Sequence, residues 1–297
     1  MKKLLTVLAI SLPLILSSCG CHQRSEERER KDPDPIDQEP TPTEKSASTL
    51  TEEEHKDFPN LCINKLASYA SYQASTDGST DATVFGITTT QSIKVLSIKS
   101  DYSYVKNESH SDLVNTVHTA YFHDGKAVYS DGGDFKTSTL TDYLKVYGTY
   151  LLDRAIEGYT IDEKSITNVE KVESEQDYAF KITFDPVEAT NNVKIQMAKF
   201  GGLDDYPSFS KVELVITVKD DFTPVSIKLD AYYSAIKTMI IQVTTDCHQH
   251  YTVDFSKYNE TIGIPGLDDS IKQKFTATEV NPKLDTSNKK GQKIGIN

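Results

Sequence analysis

The chain has 297 residues, 37% hydrophobic and 26% charged, with 14 Gly, 11 Pro and 4 Cys, proportions that exclude collagen, coiled coil and wholly disordered protein. Acidic residues outnumber basic ones 44 to 32, for a formal net charge of -12, and arginine occurs only as Arg24, Arg28, Arg30 and Arg154. A chain so poor in guanidinium groups is badly equipped to hold a phosphate backbone, and nucleic acid is not expected as a partner.

Lys2 and Lys3 precede a mostly apolar stretch, Leu4 to Leu16, interrupted by Thr6, Ser11 and Pro13. It is short for a membrane-spanning helix and reads as an export signal over residues 1–18. Its end, Leu16-Ser17-Ser18-Cys19, resembles the lipobox of bacterial lipoproteins. That resemblance implies cleavage before Cys19 and a diacylglycerol, with palmitate-like chains, on its thiol. Two or more acyl chains make a stable anchor, so the expected location is the extracytoplasmic face of a bacterial cell membrane. Residues 19–57 are rich in charge and proline and nearly free of large apolar groups, which predicts a disordered tether. Four of the prolines fall between Pro33 and Pro42 and stiffen part of it.

One folded domain is expected over residues 58–280, followed by a polar tail, 281–297. Thr51 and Glu54 have the spacing of a capping box, and Cys62, Leu66 and Tyr69 lie on one face of a helix over about residues 60–70. β-rich runs follow between turn signals at Asp77-Gly78 and Asp124-Gly125, including Ile93 to Ile98, Tyr102 to Val105 and Thr116 to Ser130. Leu140, Tyr143, Leu144, Tyr147 and Leu151 mark a second helix behind a Ser/Thr-rich start. Asp185-Pro186-Val187-Glu188 reads as the start of a third, with Val193, Met197 and Phe200 as its apolar face and Gly201-Gly202 as its stop.

The clearest strands come late. Val212, Leu214, Ile216 and Val218 alternate with wetter residues, as do Val225, Ile227, Leu229 and Ala231. From Met239 to Phe255, Ile241, Val243, Cys247, Tyr251, Val253 and Phe255 keep one parity. Each pattern has one dry and one wet face, as an antiparallel sheet covered on one side requires.

This order of elements, closing on Phe255-Ser256-Lys257-Tyr258-Asn259-Glu260-Thr261-Ile262-Gly263-Ile264-Pro265, resembles the β half-barrel lipoproteins typified by the LolA carrier and the LppX/LprG lipid-binding lipoproteins. The resemblance implies an α+β fold, a strongly curved antiparallel sheet with helices packed in its concave face. In several family members that face holds a hydrophobic cavity for acyl chains. Leu140, Leu144, Val212, Leu214, Ile216, Ile227, Leu229, Ile241 and Val243 are the candidates to line such a cavity, although the same pattern fits a packed core. The expected function is to bind or carry a lipid or other hydrophobic ligand; the alternative is a non-enzymatic envelope interaction or structural lipoprotein with a filled core.

The nucleophile elbow, the paired-histidine zinc motif, the P-loop and the dinucleotide fingerprint are all missing, so neither an enzyme nor a cofactor is expected. Asp246, His248 and His250 would share one face of a strand at about 6.6 Å spacing. A metal site there needs help from another strand, such as one carrying His118 or His123, and a hydrated outer face without metal is the reading adopted. Cys62 and Cys247 sit on the apolar parity of their elements. A helix in the concavity would bring them together as a disulfide or as two buried thiols.

Overall fold

Period-two alternation dominates this chain, and the computed structural model, which describes residues 45–111, 115–147, 165–175, 177–188, 207–238 and 242–276, turns it into strands. A 3-10 turn (Glu52–Asp57) leads into helix α1 (Phe58–Ser68) and then into strands β1 (Tyr72–Val84), β2 (Ile87–Lys99), β3 (Ser103–His110), β4 (Asn115–His123), β5 (Lys126–Ser130) and β6 (Lys136–Thr139). Helix α2 (Leu140–Tyr147) separates these from β7 (Ile166–Val172), β8 (Tyr178–Phe184), β9 (Ser208–Val218), β10 (Pro224–Thr238) and β11 (Gln242–Ser256), and helix α3 (Asp269–Thr276) follows. The strands form one 11-stranded sheet in the order β6-β5-β4-β3-β2-β1-β11-β10-β9-β8-β7. Every neighbouring pair is antiparallel, and the end strands β6 and β7 do not meet. The result is the open half-barrel arrangement of the expected α+β class.

Local chemistry makes the hairpins. Asp124 and Gly125 take φ of 46° and 69° between β4 and β5, the double positive φ that an Asp-Gly turn supplies. Phe85 and Gly86 do the same between β1 and β2, at 51° and 76°. Asp77-Gly78, expected to turn, instead lies in the middle of β1. A Cβ on Gly78 would sit 2.3 Å from the His250 carbonyl oxygen and 2.3 Å from the Tyr251 Cβ. Gly78 therefore serves a close approach of β1 to β11, a use of glycine that marks a bend in a sheet as readily as a turn.

The register defines two faces. Ala74, Gly78, Thr80 and Ala82 of β1 lie opposite Phe255, Tyr251, Gln249 and Cys247 of β11, and this parity continues into Val95 and Ile93 of β2, Val105 of β3 and Ala120 of β4. Phe58, Cys62 and Leu66 of α1 join this inner face in one apolar cluster with Phe180, Leu214, Ile216, Ile227, Leu229 and Phe255. Phe58 stacks on Phe180 at 4.0 Å between ring centroids. Helix α2 covers the same face further along, where Leu140 and Tyr143 pack with Ile93, Val105, Ala120 and Phe122. Thr139 caps it, its hydroxyl accepting from the Asp142 backbone N–H at 3.0 Å. Helix α3 departs from the expected plan by covering the outer face: Ile271 and Phe275 pack on Ile98, Tyr104, Tyr121 and Val128, the opposite parity of the same strands.

The folded unit also begins before residue 58. Ala47 and Leu50 are buried in the α1 cluster, and the Ala47 N–H donates to the Asp220 carbonyl at 2.8 Å. Two apolar side chains and a capped turn, in which the Glu54 carboxylate accepts from the Thr51 N–H at 3.1 Å, suffice to dock residues 45–57, the end of the predicted tether. Residues 1–44, with the signal and Cys19, and the tail beyond residue 276 lie outside the described residues. So do Val193, Met197, Phe200 and Gly201-Gly202, although Asp185 caps as expected: its carboxylate accepts from the Val187 and Glu188 N–H groups at 2.8 and 3.1 Å.

Gly78→Ala is expected to lower stability by about 3 kcal/mol, because the added methyl must displace backbone. Urea unfolding followed by circular dichroism measures it, and a change below about 1 kcal/mol would contradict the close β1–β11 approach.

Candidate functional site

Of the residues expected to line a cavity, Val212, Leu214, Ile216, Ile227 and Leu229 are buried on the inner face in the α1 cluster. Val243 is buried on the same parity of β11, and Leu140 belongs to the α2 cluster. Leu144 lies within α2, its side chain outside the described residues, and Ile241 lies outside them altogether. The structure thus places five of these positions in the patch under α1 and Leu140 in the patch under α2, with Val243 in neither.

On the same inner face, adjoining these patches, runs a polar band. Gln91, Thr80 and Gln249 follow one another across β2, β1 and β11 in register. Asn107 and Ser109 extend the band on β3, and Tyr251 and Thr245 flank Gln249 along β11. All are buried, Thr80 to 1% exposure and Thr245 to 0%. Gln91 donates its Nε2 to the Ser109 hydroxyl. Yet among the described residues Thr80 Oγ1, Gln91 Oε1, Asn107 Oδ1, Ser138 Oγ, Thr245 Oγ1 and Tyr251 OH have no hydrogen-bond partner. The register puts all six on the inner face. Burial holds the Tyr251 phenol well above its usual titration range, so it keeps its proton and can donate as well as accept.

A sequence signal for this band existed. Thr245 and Gln249 occupy the dry parity of β11 among Val243, Cys247, Tyr251 and Val253, and Thr80 occupies the dry parity of β1. A polar residue in a dry position is the informative exception to burial patterning.

The remaining candidates fall elsewhere. His118 is on the inner face, where Nδ1 meets Asp131 Oδ1 at 2.7 Å and Nε2 meets the Tyr143 hydroxyl at 2.8 Å, which ties β4 to α2. His123 is on the outer face, stacked on Tyr102 at 3.9 Å. Neither helps the β11 histidines. Asp246, His248 and His250 share the outer face, as their alternation predicted. Cys62 and Cys247 do join one cluster but are unbridged and buried. Burial pushes the Cys247 thiol up to about 12, against a hydrogen bond with Tyr233 that pulls it down, and burial raises Cys62 as well. Away from the band, a groove of about 360 Å³ lies between the 3-10 turn and edge strand β7, lined by Glu52, Glu53, His55, Lys56 and Ile166 to Val169. Among the described residues no helix is long and apolar enough to cross a membrane.

Both thiols are expected to resist iodoacetamide at pH 8 in the folded chain and to react at once in 6 M guanidinium, since the thiolate is the nucleophile. Mass spectrometry counts the adducts; labelling of Cys247 under native conditions would contradict its burial.

No protein-family model and no curated protein matches the chain. Among solved structures it is similar to the lipoprotein LppX of Mycobacterium tuberculosis, at 10% identity and a TM-score of 0.39 over 72% of this chain and 100% of that one. It is similar to LprF of Mycobacterium bovis, at 8% identity and a TM-score of 0.37 over 72% and 97%. A LolA superfamily protein from Nitrosomonas europaea is similar at 12% identity and a TM-score of 0.25, over 73% and 96%.

Proposed function

We propose that this chain is a non-enzymatic, lipid-anchored envelope protein whose inner sheet face binds an amphipathic hydrophobic ligand. The observation that carries the reading is the set of buried, unpartnered oxygens on that face. Each buried polar atom left without a partner costs about 1–3 kcal/mol, and a filled apolar core has no use for six of them on one side of one sheet. A guest that brings its own hydrogen-bonding group recovers that cost. The band adjoins both apolar patches, through Tyr251 in one and through Gln91 beside Ile93 of the other, so the same guest can lay apolar chains against Leu214, Ile227 and Leu229 or against Ile93, Val105 and Phe122. The band carries amide and hydroxyl groups and no ionised side chain, which suits an uncharged polar group.

Anchoring is the second part of the reading and rests on Leu16-Ser17-Ser18-Cys19. Acyl chains on Cys19 would hold the domain beside a membrane, the source of such ligands. The location that follows is the extracytoplasmic face. Palmitate fed to expressing cells is expected to label the wild type and not Cys19→Ala; label retained in that variant would refute the anchor.

Native mass spectrometry of the full chain released gently from detergent tests the ligand. A bound mass that solvent extraction identifies as lipid is expected, and Thr80→Val with Thr245→Val should lower its occupancy at least threefold while thermal stability of the empty chain is unchanged or raised. A chain that carries no ligand and accepts none from mixed vesicles would overturn the reading in favour of a filled-core interaction protein.

A further inference from the structure

On the outer face, behind the polar band, β1 and β11 bring a second group of residues together. Asp81 lies directly across from His248, and Ser79 from His250. One ligand atom from each of Asp81, His248 and His250 falls within 4.8 Å of the other two. His248 and Asp81 are half-buried and His250 is exposed. A four-coordinate zinc ion, with bonds of about 2.1 Å, holds its ligands about 3.4 Å apart, so small side-chain rotations bring the three onto one ion.

Each of the three is already held by a neighbour. The Asp230 carboxylate takes Nε2 of His248 at 2.6 Å, and the Tyr232 ring lies flat on the imidazole at 4.1 Å and 6°. His250 Nε2 meets the Ser79 hydroxyl at 3.1 Å, and the Thr90 hydroxyl donates to Asp81 at 2.5 Å. Asp230 is itself fixed by Lys211 at 2.7 Å. A carboxylate holding one imidazole nitrogen while the other offers its lone pair is the outer support that metal-ligating histidines use.

We propose that Asp81, His248 and His250 bind one divalent transition-metal ion on the outer face of the β1–β11 pair, with the remaining coordination position open to solvent. Two imidazoles and a carboxylate select zinc, copper or nickel over calcium and magnesium, which prefer all-oxygen sets. Asp230, Ser79 and Thr90 act as positioning residues, and Tyr232 closes one side. An ion here has three protein ligands and exchangeable water, so it can also accept a carboxylate or imidazole from a partner.

The full chain, stripped with a chelator and dialysed, is titrated with Zn²⁺ against a chromophoric competitor, and the visible spectrum is recorded with Co²⁺ in its place. One ion per chain is expected, with a Co²⁺ spectrum free of thiolate charge transfer. His250→Ala and Asp81→Asn should each weaken binding at least tenfold, with far-ultraviolet circular dichroism and the thermal midpoint unchanged. Asp230→Asn should weaken it about threefold to tenfold through the loss of support. Failure to bind one ion per chain, affinity indifferent to His250→Ala, or a thiolate band that moves the ion to the cysteines would overturn the assignment.

Discussion

The pairing of β1 with β11 is the contact on which the rest of the structure depends. It joins residues 73–83 to residues 246–256 in continuous antiparallel register. On either side of it the strands follow each other in chain order, β1 to β6 outward in one direction and β11 to β7 in the other. Without this seam there would be two separate meanders, each with a further exposed edge. An unpaired edge strand of this length is a template for aggregation, so the seam removes two liabilities at once.

The seam is also where both faces acquire their chemistry. Across it, Thr80 meets Gln249 on the inner side while Asp81 meets His248 on the outer side. Adjacent residues in a strand point to opposite faces, so one register serves a buried row of uncharged oxygens and an outer-face cluster of imidazole and carboxylate. Gly78 is part of the same device. Its missing side chain allows the backbones to approach at Tyr251, whose unpartnered hydroxyl belongs to the inner band. A one-residue slip would send His248 inward and Gln249 out to solvent, which explains why the register must be firm.

Among the described helices, α1 and α2 pack on different parts of the inner face. Helix α1 supplies Phe58, Cys62 and Leu66 to one apolar patch and α2 supplies Leu140 and Tyr143 to the other, while α3 is committed to the outer face. The His118 contacts to Asp131 and Tyr143 show how this fold treats a buried polar group that is purely structural: both ring nitrogens are partnered. The orphan oxygens of the band differ from it on that point, and that difference is what the proposed ligand reading rests on.

Much of this was legible along the chain. The α1 face through Cys62 and Leu66, the Asp124-Gly125 hairpin, the Thr139 start of α2, the Asp185 cap and the alternation of β9, β10 and β11 follow from local periodicity and turn chemistry, which act over a few residues. The apolar parity of Val212 to Leu229 placed those side chains on the covered face correctly. What the chain could not disclose were relations between distant segments. Asp77-Gly78 has the composition of a turn, and only the approach of β11 makes it a mid-strand contact. Asp81 completes the His248 and His250 cluster from a strand 167 residues earlier, and Ala47 and Leu50 dock a segment whose composition reads as tether. Sequence by itself determined which residues form strands and which parity is dry, because those depend on neighbours two to four positions away. Register across the seam, and with it the membership of the inner polar band and of the outer His/Asp cluster, was decided by tertiary structure alone, because pairing energy is settled between strands that share no local sequence.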